Sequence, residues 1–121
     1  MIESNQPIVY AQEETPTEVL IEVRISWTLD RILEEIDNTA IQYGVSASEM
    51  RRVIKCESNF DPTIQSQHIL SYGREMSFGL VQIHIPAHPH VTIEQALDPA
   101  FAIDFMAKAF SQGKHSMWTC Y

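Results

Sequence analysis

One carboxylate in this chain stands where an acid is unusual. In the segment Ser46–Pro62, S-A-S-E-M-R-R-V-I-K-C-E-S-N-F-D-P, Met50, Val53, Ile54 and Glu57 recur at i, i+3, i+4 and i+7, so on a helix Glu57 shares a face with three apolar side chains. Ser46 followed three residues on by Glu49 is a capping-box pattern that starts the helix, and Asn59 to Pro62 must stop it. A glutamate there is desolvated and lies beside the negative end of the helix dipole. Both effects disfavour the ionised form, so its pKa is expected to be raised. A carboxyl that keeps its proton near neutral pH can serve as a general acid. The competing reading is a last-turn glutamate turned out to solvent.

Other polar residues could join it. In S-F-G-L-V-Q-I, Ser77 to Ile83, Gly79 would let backbone approach a ligand, and Gln82 offers donors and an acceptor suited to the amide of an N-acetyl group. The alternative is a buried turn with Leu80 and Ile83 in the core and Gln82 satisfied by backbone. Glu75 is the one further acid placed where it could act as a second carboxylate; if it lies about 6.5 to 9.5 Å from Glu57 with water between, inverting hydrolysis becomes possible. Asp61 reads as a helix stop and Asp104 as part of a solvated face. Trp118 and Tyr121 could stack on sugar rings or cover the core. His84, His88 and His90 lie among Pro86 and Pro89, which disfavour the regular helix that a metal pair would need, so no metal site is expected. Cys56 adjoins Glu57, and joining it to Cys120 would close a loop of roughly 64 residues, worth about 4 kcal/mol on a loop-entropy model. That pairing requires an oxidising compartment; two unpaired thiols are the alternative.

The elements that must hold these groups follow from pattern. Leu29, Ile32, Leu33, Ile36 and Ala40 form a helical stripe that Gly44 ends. Asp98-Pro99 opens a helix with Phe101, Ala102, Phe105, Met106, Ala109 and Phe110 on its apolar face, closed by Gly113. Thr92 and Gln95 cap a short helix before it. Residues 61 to 76 read as an irregular loop. Val19, Ile21, Val23 and Ile25 alternate and predict a short strand or extended arm, while residues 1 to 17 read as a polar tail. Residues 1–26 are thus expected to be an acidic tail and extended arm, and 27–121 a single helical domain, all-α or at most α+β.

The net charge of −8 is concentrated at the front: residues 1 to 40 hold nine acids and two bases, and 41 to 121 hold seven and six. No basic patch of the kind that binds nucleic acid is present, no run is apolar enough to span a membrane, and no signal peptide is visible. If the protein is exported, its leader has been removed or another route is used.

Glu57-Ser58, followed after a loop by Ser77-x-Gly79-Leu80-x-Gln82, resembles the leading motifs of the soluble lytic transglycosylases of the lysozyme-like superfamily. Tyr43-Gly44-Val45, Phe60-Asp61-Pro62 and Asp98-Pro99 agree with that pattern, and the likeness covers roughly residues 28 to 121. It implies a small helical lysozyme-like domain, extracytoplasmic and monomeric, acting on peptidoglycan glycan strands without a cofactor. A single glutamate would protonate the β-1,4 glycosidic oxygen between N-acetylmuramic acid and N-acetylglucosamine. As carboxylate it would then take a proton from the sugar's 6-hydroxyl, closing a 1,6-anhydro ring. Two departures are visible. Val81 stands where many members have methionine in G-L-x-Q, weakening an expected substrate contact. Phe110 lacks the hydroxyl of the family's later A-Y-N-x-G tyrosine, leaving Tyr72 or Tyr121 as substitutes. A hydrolytic muramidase and a non-catalytic peptidoglycan-binding module are the alternatives.

Overall fold

The computed structural model describes residues 16–121; most of the tail expected over residues 1 to 17 lies outside them. The described residues form five α-helices: α1 (Pro16–Ser26), α2 (Leu29–Tyr43), α3 (Ala47–Ser58), α4 (Ile93–Leu97) and α5 (Pro99–Ser111). Between α3 and α4 run two antiparallel strand pairs, β1 (Ile69–Leu70) with β2 (Gly73–Arg74) and β3 (Ser77–Phe78) with β4 (Ile83–His84). The domain is mostly helical, as the apolar periodicities require.

Local chemistry sets the helix ends. The Thr28 hydroxyl accepts from the Arg31 N–H and starts α2, and Gly44 at φ +67° ends it by donating its N–H back to the last-turn carbonyls of Ala40 and Ile41, a left-handed stop that glycine adopts without steric cost. Ser46 caps α3 by accepting from Glu49 N–H. Thr92 and Gln95 complete a reciprocal capping box on α4, and Asp98 caps α5 with Pro99 at its first turn.

The stripe on α2 packs against both α3 and α5. Ile32 and Ile36 of α2, Met50, Val53 and Ile54 of α3, and Ile103 and Met106 of α5 are essentially inaccessible to solvent, with Leu80, Val81 and Ile83 from the β3–β4 turn filling the remaining space. This core fixes α3 rigidly beneath the residues that follow it.

One expectation is overturned. Val19–Ile25 is not extended but lies within α1. Val19, Ile21 and Ile25, which generate the alternation, are exposed at 41%, 50% and 73%. Leu20, Val23 and Trp27 have helical spacing instead, and they face Leu97 and Pro99 across an apolar groove. Arg24 ties α1 to the loop beyond α3 by donating to Thr63 Oγ1 at 2.7 and 3.1 Å. The expected irregular stretch over residues 61 to 76 does hold a two-residue ladder, Ile69↔Arg74 and Leu70↔Gly73.

Candidate active site

Glu57 occupies the penultimate position of α3, at the edge of a cavity of about 400 Å³. Three pieces of chain close that cavity. The loop after α3 supplies Ile64, Gln65, Ser66 and Gln67; the segment around β3 and β4 supplies Glu75, Ser77, Gln82 and His84; a strap from the far end supplies Met117, Trp118 and Thr119. Cys56, which precedes Glu57 in α3, and Cys120, which follows the strap, form a disulfide with Cα atoms 5.9 Å apart.

The apolar face carries Glu57 as its spacing predicts: Met50, Val53 and Ile54 are fully buried and Glu57 is half-buried. Burial raises its pKa, the nearby main chain of Cys120 pulls the other way, and the Glu75 carboxylate across the cavity raises it further. Desolvation is the leading cause. Ser58, next to it, is buried and returns its hydroxyl to the Ile54 carbonyl at 3.1 Å.

Glu75 and Ser77, two residues apart, present their side chains to one another. The Ser77 hydroxyl donates to Glu75 Oε2 at 2.5 Å and lies 3.1 Å from His84 Nδ1. A hydroxyl has one proton, so with that proton on the carboxylate, His84 Nδ1–H must be the donor to Ser77. Ser77 is only 2% exposed: it orients Glu75 and has no proton left for a ligand. Gln82 commits both amide hydrogens, to the Ile64 carbonyl at 3.2 Å and the Gly79 carbonyl at 2.9 Å, so its carbonyl oxygen is what it can offer a ligand. The Trp118 indole N–H donates to the Val81 carbonyl at 2.7 Å and anchors the strap to the β3–β4 turn.

Glu57, Glu75, Ser77, Gln82 and Trp118 are therefore gathered in one place, while four other residues singled out from sequence lie outside the lining. Gly79 has a packing role: a Cβ on it would stand 1.9 Å from the Ala96 carbonyl oxygen of α4, at a φ of +82°. Val81 is wholly buried in the core. Tyr72 sits on the β1–β2 turn, 73% exposed. Tyr121 packs edge-on against Phe110, with the Arg52 guanidinium over its ring. Neither tyrosine lines the cavity that holds Glu57. Ala109 to Gly113 is a helix end, α5 stopping at Ser111 and Gly113 turning at φ +74°.

Pattern reading missed Gln65, Ser66, Gln67, Met117 and Thr119, and it took His84 only as part of a metal motif. The Glu75-x-Ser77-F-G spacing held a usable signal, since residues two apart in extended chain face the same side. So did the cysteine pairing, which brings residues 117 to 119 close to Glu57.

Comparison with known proteins finds no family model that matches this chain and no similar curated protein or solved structure.

Proposed function

We propose that the protein cleaves peptidoglycan glycan strands as a lytic transglycosylase, with Glu57 as acid and then base. The observation that carries this reading is a half-buried glutamate, its pKa raised by its surroundings, in a cavity lined by amides and hydroxyls. Gln65, Gln67 and Gln82 match the hydrogen-bonding chemistry of acetamido groups and sugar hydroxyls. In the first step Glu57 gives its proton to the glycosidic oxygen as the bond from the muramic C1 to that oxygen breaks. In the second, the carboxylate takes the proton of the 6-hydroxyl as its oxygen bonds C1, closing the anhydro ring and restoring the acid. The disulfide favours action in an oxidising, extracytoplasmic compartment.

Glu75 supports a second reading, a hydrolytic muramidase on the same scaffold. It lines the same cavity and is oriented by Ser77, as a base that activates water needs to be. Product masses separate the two: purified peptidoglycan digested by the protein should release anhydro muropeptides, lighter by one water than hydrolytic products. Products heavier by that water would replace the transglycosylase reading with the hydrolytic one, and binding without turnover would remove both.

A further inference from the structure

We propose that His84 is a positioning residue of this site: acting through Ser77, it fixes one carboxylate oxygen of Glu75 and leaves the other, Oε1, set to accept a hydrogen bond from a hydroxyl, that of water or of a sugar. The inference rests on the role proposed for this cavity in glycan cleavage.

Glu75 is held at every polar atom but one. Its main-chain N–H donates to the His68 carbonyl at 2.8 Å, its carbonyl accepts from Gln65 Nε2 at 3.1 Å, and its Oε2 accepts from the Ser77 hydroxyl at 2.5 Å. Among the described residues nothing hydrogen-bonds Oε1, and the side chain, which lines the Glu57 cavity, is 28% exposed. An incoming hydroxyl therefore meets a carboxylate with one oxygen committed and one open.

The support for the committed oxygen comes through a buried hydroxyl. Ser77 and His84 are paired across the β3–β4 ladder, which sets their side chains next to one another on one face, and His84 Nδ1 comes to 3.1 Å from Ser77 Oγ. Ser77 has one proton, and His84 decides where it goes. With the ring proton on Nδ1, His84 donates to Oγ and the hydroxyl must turn its own proton to Glu75; with the ring proton on Nε2, Nδ1 is an acceptor and draws the hydroxyl away. His84 Nδ1 lies 3.9 Å from Glu75 Oε2, beyond a direct hydrogen bond, so Ser77 is the link between them. Arg74 does not take this part, although it precedes Glu75: its guanidinium donates to the carbonyls of Ser66 at 2.7 Å and Gln65 at 3.1 Å. A carboxylate fixed in this way needs no reorientation when a hydroxyl arrives, which is what preorganisation contributes to a reaction.

Nitrogen-15 NMR of the full chain labelled at its histidine rings, with the His84 signals identified by their absence in His84→Asn, should show the proton of the neutral His84 ring on Nδ1. A neutral ring protonated on Nε2 overturns the proposal, because Ser77 would then give its proton to His84 and not to Glu75. His84→Leu removes the donor and should lower kcat on peptidoglycan fragments about fivefold or more, the worth of one hydrogen bond, with KM little changed. His84→Asn places an amide N–H where the Nδ1–H stood and should restore most of that loss. A parental kcat in His84→Leu, or a kcat in His84→Asn no better than in His84→Leu, equally overturns it. Product masses from the parent assign the hydroxyl: hydrolytic products make it water, and anhydro products make it a sugar hydroxyl. The tautomer is read without substrate and decides the proposal even where His84→Leu fails to fold. A parent that holds the proton on Nδ1 and cleaves nothing removes the enzymatic reading and leaves the hydrogen-bond chain standing.

Discussion

Replacing Glu57 by glutamine isolates the proton from everything else the side chain does. The two are nearly the same size, so the packing of α3 and of the strap should survive. What disappears is the ability to donate to the glycosidic oxygen and then to accept from the 6-hydroxyl. Positioned general acids contribute about 10² to 10⁴ in rate. With one group serving both steps, a fall of about 10³ or more is expected, close to 4 kcal/mol of barrier. Stability should move the opposite way. The folded-state pKa of Glu57 lies above its ordinary value, so its favourable contribution is present below the unfolded carboxylate range and is lost as pH rises through the folded value. Glutamine has no charge to lose, so the variant should gain on the parent as pH rises through that window, modestly because half of the side chain sees solvent. The assays are release of soluble muropeptides from purified peptidoglycan, followed by mass spectrometry, and thermal unfolding across the same pH range. A folded variant retaining more than about a tenth of the parental rate would refute the assignment, since no general acid of that strength would have been removed.

The pH dependence of the parent should show a descending limb displaced above the ordinary glutamate range, because only protonated Glu57 can start the reaction; a limb at the unperturbed position would contradict the desolvated setting. Glu75→Gln removes the charge facing Glu57 and should move that limb downward. The same variant separates the two chemistries, costing less than about tenfold if Glu75 only tunes the acid and about 10² or more if it activates water. Gly79→Ala places a methyl against the Ala96 carbonyl oxygen at a φ of +82° and should lower stability by about 2 to 4 kcal/mol, read from denaturant midpoints. An unchanged midpoint would mean that the β3–β4 turn and α4 are less tightly apposed than the structure places them.

The helices were legible because their signals are local. Ser46, Thr92 with Gln95, and Asp98 with Pro99 announce starts from side chain to backbone within a few residues, and the stripes on α2, α3 and α5 face the core that their spacing demands, except for Leu29, which is exposed at the start of α2. Helix α1 was not legible as such. Its valines and isoleucines satisfy an alternating template as well as a helical one, and only tertiary placement, with Leu20, Val23 and Trp27 turned to the groove that Leu97 and Pro99 also line, decides between them. Glu57 could be read because its setting is written within one helix. Its neighbours could not, because Gln65, Glu75, Gln82 and Trp118 meet it only after a loop, a turn and a strap have been brought together by tertiary packing. Gly79 illustrates a different limit. Its need for glycine is plain in the sequence, but whether a ligand or a helix occupies the space is settled only by where α4 lies.

The cavity draws its walls from positions as far apart as 57 and 119, and contacts of such long sequence separation form late because the intervening chain must first be ordered. A ribosome that has made the acid-bearing helix has not yet made the wall opposite it. Nascent chain is therefore without a finished groove until translation has passed residue 119. For a protein proposed to cut peptidoglycan, assembly order itself would act as a safety catch.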